Sequence, residues 1–223
     1  MVLVHGSVGN ADATWYPLRP LADRFELVFV TRSGYPPREP EERIDFEEQA
    51  AELAAELRPG DHLVGHSYGG VVSLLAAART PGLASLTVNE PPAFGVARGN
   101  PAVEEFLASY EGRTFETPEE YVAFFLPLVG SQIPLGHLAP AIEQGARAAM
   151  VERSPAEAVI PFESLRLPVL VVSGAHHPAF DAVCDVLVDR LGAERVVLPG
   201  AGHSIPRAPG YNDVLADFLS RAS

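Results

Sequence analysis

The chain has 223 residues, 47 % of them hydrophobic and 20 % charged. That is a globular composition, with length for one α/β domain and a sizeable core but not for two ordinary domains. Its net charge of −13 opposes nucleic-acid phosphates and anionic membrane surfaces, and no apolar run is long enough to span a bilayer.

In chain order, Met1-Val2-Leu3-Val4 is a short apolar run stopped by His5-Gly6, which reads as a buried parallel strand. After a glycine- and asparagine-rich loop, Trp15 to Phe25 is apolar-periodic, and Glu26 to Thr31 reads as a second strand. Arg32 to Pro40 is a Gly/Pro-rich loop. Ile44 to Arg58 places Phe46, Ala50, Leu53, Ala54 and Leu57 on one helical face and is closed by Pro59-Gly60. His62-Leu63-Val64 predicts a third strand, Val71 to Arg79 a helix, and Leu83 to Val88 a fourth strand ending at Asn89-Glu90-Pro91-Pro92. Residues 91 to about 165 then break the alternation with helix starts at Asn100-Pro101 and Thr117-Pro118-Glu119-Glu120, the latter a capping box, a third helix over Ala141 to Arg153 and a short one after Ser154. The α/β rhythm resumes with a strand at Pro168 to Ser173, a helix striped by Phe180, Val183, Cys184, Leu187 and Leu191, a strand at Glu194 to Leu198 and a last helix from Tyr211. The expected fold is α/β, a doubly wound, mainly parallel sheet of about six strands. Residues 1–90 and 166–223 would form the core and 91–165 a helical cap inserted into it.

Chemistry concentrates at Gly65-His66-Ser67-Tyr68-Gly69-Gly70, a strand, sharp turn and helix with a serine at the apex. The glycines two residues either side of Ser67 remove Cβ atoms that would collide where strand reverses into helix, and Ser67 itself would be strained with Oγ held above the sheet. A serine hydroxyl is a poor nucleophile near neutral pH and needs a base with a third group to orient it. His203, in Pro199-Gly200-Ala201-Gly202-His203-Ser204 after the last strand, is the candidate base, because that loop lies at the same edge of the sheet as Ser67.

The run Val2-Leu3-Val4-His5-Gly6 followed by Asn10 and Trp15, the turn around Ser67, and Gly202-His203 together resemble the α/β-hydrolase superfamily, and more narrowly its small, capped serine hydrolases of the esterase type. The resemblance implies an oxyanion hole made by the backbone N–H groups of Ser7 and Tyr68, the latter at a helix N-terminus where the dipole favours negative charge. The acid departs from the commoner pattern. Gly174-Ala175-His176-His177-Pro178 stands where an aspartate is usual. Glu90, at the end of the fourth strand, is the expected acid, in a position similar to that in relatives of haloalkane dehalogenases. Asp181, in the first turn of the next helix, is the alternative.

The implied activity is hydrolysis of a small, mostly apolar ester or related acyl substrate, with no cofactor, no nucleic-acid partner and no membrane. A hydroxynitrile-lyase-like or cofactor-free peroxidase-like reaction on the same residues is the rival chemistry, and a catalytically silent ligand-binding protein the rival class. Cys184 is the single cysteine, so an internal disulfide and a cysteine metal site are excluded. His176 and His177 lack a carboxylate or cysteine at ligand spacing, so no metal is expected. His5 and His66 read as packing residues, and Arg32 and Tyr35 either line the cleft or are solvated loop residues. The stripe of Phe106, Tyr110, Tyr121, Phe124 and Phe125 reads as cap packing, part of which roofs the site. The N-terminus lacks a signal peptide's basic segment and cleavage site, so the expected compartment is cytoplasmic. Superfamily members usually carry two further strands before the one that begins here at Met1. Without them the Glu26–Thr31 strand would lie at a sheet edge, covered by the Arg32–Pro40 loop in a monomer, paired in a homodimer, or covered by an N-terminal piece that this sequence lacks.

Overall fold

Six apolar segments form one parallel sheet, β1 (Val2–Val4), β2 (Val28–Val30), β3 (His62–His66), β4 (Ser85–Asn89), β5 (Val169–Ser173) and β6 (Glu194–Val197), in the order β2-β1-β3-β4-β5-β6. These come from a computed structural model that describes residues 1–131 and 139–222. Residues 132–138 of the expected cap and residue 223 of the expected core lie outside the described residues.

The period-2 alternation of each strand sends its side chains to two separate cores. Val2, Val4, Leu63, Leu86, Val88, Val169 and Val171 face one layer, made by helices α2 (Phe46–Glu56), α3 (Tyr68–Ala77) and α7 (Pro178–Leu191). Leu3, Val64, Leu170 and Val172 face the other, where Trp15, Leu18 and Leu21 meet Tyr211, Leu215 and Leu219 of α8 (Tyr211–Arg221). Helix α3 is buried along its whole length, as expected of a helix apolar all round. The stretch from Trp15 is not one regular helix. An α-helix, α1 (Ala11–Trp15), gives way to a 3-10 helix over Tyr16–Asp23, because Pro17 and Pro20 remove donors an α ladder would need.

Between β4 and β5 the described residues hold helices only, α4 (Pro101–Tyr110), α5 (Pro118–Leu128) and α6 (Pro140–Met150) with short 3-10 turns. Asn100 and Thr117 cap α4 and α5 through their side chains. Among the described residues strand β2 has a single strand neighbour, β1, and on its open side Arg38 of the following loop donates to the Thr31 carbonyl at 3.4 Å. Among the described residues no helix is long and apolar enough to cross a membrane.

The sheet order reverses direction at β1. The crevice beyond the C-terminal ends of β1 and β3 is therefore the topological switch point, the place where α/β sheets of this kind bind ligands. His5, just past β1, is fully buried there. Its Nδ1–H donates to the Gly6 carbonyl at 2.8 Å and its Nε2 accepts from the Arg32 amide at 3.3 Å, so both ring nitrogens are used by the neutral imidazole. Burial first, and the nearby Arg32 charge second, push its pKa down to about 3 from 6.5. The unfolded chain thus takes up this proton before the folded one. The His5 contribution to stability is complete above pH 6.5 and is lost as pH falls toward 3, at up to ~1.4 kcal/mol per pH unit. The His5 ring resonances should stay those of a neutral imidazole from pH 8 to 5 while the urea midpoint falls with pH below 6.5; a ring that titrates near 6.5 would contradict this.

Candidate active site

Strand β3 runs straight into α3 through Ser67, whose backbone sits at φ 54°, ψ −128°. Such a conformation costs a non-glycine residue about 1–3 kcal/mol. It is held by its surroundings: the Ser67 amide donates to the Asn89 carbonyl at 2.9 Å, and its carbonyl accepts from the Gly70 amide at 2.7 Å. There is no space for a larger turn. A Cβ at Gly69 would lie 2.3 Å from the His5 carbonyl oxygen, and one at Gly6 would lie 2.7 Å from the Ser67 Cβ. The second contact draws the β1 loop, with Ser7, up against the serine.

Ser67 Oγ lies 2.8 Å from His203 Nε2, and His203 Nδ1 lies 2.7 Å from Glu90 Oε2. An ionised carboxylate only accepts, so Nδ1 carries the proton and Nε2 is left to accept from the serine hydroxyl. Glu90 follows β4 with φ 44° and is fully buried. Its other oxygen, Oε1, accepts from the Gly174 amide at 2.7 Å and from His176 Nδ1 at 3.2 Å. Burial alone would raise its pKa, but the hydrogen bonds from His176 and His203 overcome this and hold it at about 2. The carboxylate is therefore ionised wherever the protein is folded at ordinary pH.

The structure thus brings Ser67, His203 and Glu90 into one hydrogen-bonded chain. Asp181 is committed elsewhere, to Ser173 Oγ at 3.0 Å and Arg195 Nη2 at 3.0 Å. His176, read from the sequence as one of two histidines without a carboxylate, has one after all, supplied from 86 residues away. Glu90, His176 and His203 are a group whose ligand-type atoms lie within 4.8 Å of one another. Each histidine already places a proton between its Nδ1 and the carboxylate, where a metal bond would have to form. His66 packs beside His203, ring centroids 5.0 Å apart, and its pKa is lowered to about 3, by burial and then by the His203 charge.

Arg32 and Tyr35 are neither cleft-lining nor solvated: both are buried. Arg32 donates to Glu152 Oε1 through Nη2 and to Gln49 Oε1 through Nε at 2.9 Å, and its guanidinium lies between the rings of Tyr35 and Tyr68 at 4.6 and 4.4 Å. Tyr35 donates its hydroxyl to Glu152 Oε1 at 2.9 Å. Ser7 donates its hydroxyl to Glu152 Oε2 at 2.5 Å. Removing either member of such a buried ion pair leaves an uncompensated charge, at about 3–5 kcal/mol. Glu152 is not among the candidate site residues of the sequence: it falls inside the helix expected over Ala141 to Arg153, but α6 ends at Met150 and Glu152 follows it, bridged to Ile44.

A cavity of about 420 Å³ opens in front of Ser67, its walls including Phe94, Phe106, Tyr121, Phe124, Phe125 and Leu128. The aromatic stripe expected to be cap packing thus supplies much of the roof, with Tyr121 stacked on Phe125 at 5.1 Å. A second cavity, about 580 Å³, lies on the His203 side and is lined in part by Asn10, Thr14 and Ser204. A serine hydroxyl within hydrogen-bond reach of a neutral imidazole nitrogen, itself held by a buried carboxylate, is an arrangement whose chemistry suits acyl transfer.

The sequence profile described as "Alpha/beta hydrolase family" matches residues 1–216. Over 98 % of this chain and 92 % of the relative, the sequence is 26 % identical to a pimeloyl-[acyl-carrier protein] methyl ester esterase of Sodalis glossinidius. It is 30 % identical, over 92 % of this chain and 81 % of the relative, to a 2-(acetamidomethylene)succinate hydrolase of Mesorhizobium japonicum. Among solved structures, MenH from S. aureus superimposes with a TM-score of 0.72 at 14 % identity, covering 99 % of this chain and 93 % of that one.

The geometry separates the two candidate acids. Glu90→Gln should lower turnover by about 10²- to 10⁴-fold, because a neutral amide no longer fixes or stabilises the imidazolium. Asp181→Asn should leave it near the parent value. Steady-state ester hydrolysis by the two variants checks this, and the reverse ranking would move the role to Asp181.

Proposed function

The chain belongs to the alpha/beta hydrolase family, and on that premise we propose that it is a serine hydrolase. Its substrate would be a small, mostly apolar carboxylic ester or related acyl compound, cleaved through an acyl-enzyme on Ser67. The observation that carries the reading is the chain of hydrogen bonds from Ser67 through His203 to Glu90, set at the switch point of the sheet.

In this reading Ser67 Oγ attacks the substrate carbonyl while His203 Nε2 takes its proton, and the imidazolium is stabilised by the buried Glu90 carboxylate. The developing oxyanion rests on the amides of Ser7 and Tyr68. The proton then passes from His203 to the departing alcohol. Water, deprotonated by the same nitrogen, attacks the acyl-enzyme, and Ser67 regains its proton as the acid leaves. His176 and the Gly174 amide keep Glu90 Oε1 occupied, which leaves Oε2 to face His203.

The aromatic cavity supports an apolar acyl group. The curated relatives act, by their names, on a methyl ester and on an acetamidomethylene succinate; the likeness at 26 % and 30 % identity supports hydrolysis here and leaves the substrate to this chain's own cavity. The helices between β4 and β5 would serve as its cap.

A fluorophosphonate probe should label the parent protein on Ser67 and leave Ser67→Ala unlabelled. The same variant should fold with the parent's circular dichroism spectrum and lose at least ~10⁴-fold in p-nitrophenyl acetate hydrolysis. Hydrolysis at the parent rate by Ser67→Ala would overturn the reading.

A further inference from the structure

The two residues whose amides would form the oxyanion hole are both fixed, through their side chains, to the same buried ion pair. Ser7 Oγ donates to Glu152 Oε2, and the Tyr68 ring lies on the Arg32 guanidinium that donates to Glu152 Oε1. Tyr68 also donates its hydroxyl to the Arg153 carbonyl at 3.1 Å, one residue beyond Glu152. That segment is tied to the core in turn. The Ile44 amide donates to the Val151 carbonyl at 2.9 Å and the Arg153 amide to the Ile44 carbonyl at 2.8 Å, which fixes Glu152 between them.

The loop on the other side of Ser7 cannot hold its own shape. Val8 is a β-branched residue at φ 66°, a conformation it adopts only when its surroundings impose it. They do so from the helical segment. Val8 is buried among Val122, Leu126, Ala146 and Ala149, and α6 presents Gly145 so closely that a Cβ there would lie 2.0 Å from the Val8 carbonyl oxygen. Helix α6 and the residues that follow it thus grip Ser7 from its side chain and Val8 from its backbone.

We infer that the Arg32–Glu152 pair sets the spacing of the two oxyanion-hole amides, so that Glu152 and Arg32 are positioning residues for the transition state. The inference rests on the serine-hydrolase reading and deepens it. Oxyanion donors act only when aimed at the place the oxygen will occupy, and small misplacements at a reacting centre are costly. Four features suit Glu152 to this: it is buried, it is paired with a cation that cannot lose its proton, both its oxygens are engaged, and it reaches the core from the helical segment. A loosened brace would leave substrate binding in the aromatic cavity intact and degrade stabilisation of the tetrahedral intermediate.

The test uses Ser7→Ala, Ser7→Thr, Glu152→Gln and the double variant Ser7→Ala/Glu152→Gln, assayed on a p-nitrophenyl ester and with a trifluoromethyl ketone, whose adduct with the serine carries an oxyanion. Ser7→Ala and Glu152→Gln should each lower kcat by about 10- to 100-fold with KM near the parent's. Each should weaken the ketone by a similar factor. The double variant should be no worse than the poorer single, and Ser7→Thr, which keeps the hydroxyl, should lose clearly less in kcat and ketone affinity than Ser7→Ala. If Glu152→Gln does not fold, Ser7→Ala against Ser7→Thr still decides. Ser7→Ala with unchanged kcat and ketone affinity, in a parent that labels with fluorophosphonate, overturns the bracing role and leaves the hydrolase reading standing. Additive losses in the double variant overturn it as well, because they would mean that Ser7 Oγ acts apart from Glu152. A parent that does not label overturns the hydrolase reading, and this inference with it.

Discussion

The reversal of the backbone at Ser67 is the constraint on which the rest depends. A strand can turn into a helix at a single residue only if that residue accepts a positive φ and nothing stands in the way of the helix start. Here the obstruction is the β1 strand end, whose His5 carbonyl leaves no space for a side chain at position 69. The strain at Ser67 is small beside the burial of α3, which fills the centre of one core along its whole length. The sheet and helix can therefore hold the serine in a conformation it would not choose. The same close approach sets the β1 loop, through Gly6, against Ser67.

From this geometry follows the position of Glu90. Two adjacent strands, β3 and β4, end side by side in matched register, His66 opposite Asn89. The residue after each, Ser67 and Glu90, has positive φ. Both chains break away from the sheet at the same level, so a histidine carried over the strand ends on the loop after β6 spans them with its two ring nitrogens. At the end of β5, Ser173 and the Gly174 amide hold Asp181 and Glu90 apart. The aspartate is drawn to Arg195 on β6, and the glutamate keeps the imidazole.

The six strands, the turn at Ser67 and the loop of His203 were legible because each rests on a local signal: an apolar run bounded by glycine or proline, or glycines at fixed distance from a serine. Glu90 was legible only as a strand-end carboxylate, and its rivalry with Asp181 turned on which partners surround each, which spacing does not carry. The apolar period from Trp15 to Phe25 did not say which kind of helix it would make, and two prolines decided it as 3-10. Arg32 and Tyr35 were misjudged for a different reason. An arginine in a Gly/Pro-rich loop is ordinarily solvated, and its partner Glu152 lies 120 residues away, within the stretch expected as the Ala141–Arg153 helix. His176 escaped in the same way, since the carboxylate it serves is 86 residues distant. Long-range pairs between charged groups leave no mark on either neighbourhood in the sequence.

The site lies between two buried carboxylates whose partners give them opposite capacities. Glu90 is held by two imidazoles, so in the proposed reaction a proton arriving at His203 would meet a fixed negative charge that stabilises it. Glu152 is held by the Arg32 guanidinium, which stays charged at any pH the fold survives. Burial is the largest single effect on Arg32 and lowers its pKa, but the charge and hydrogen bond of Glu152, with Tyr35 and Tyr68, together outweigh it and leave the pKa raised. A carboxylate beside an oxyanion hole would oppose the charge that develops there, by an amount that grows as water is excluded. Paired with Arg32, it presents a neutral assembly whose remaining property is rigidity. In the proposed reaction one carboxylate would thus stay electrostatically available to the reacting groups, while the other is neutralised by its guanidinium. The difference lies in the partner each was folded against.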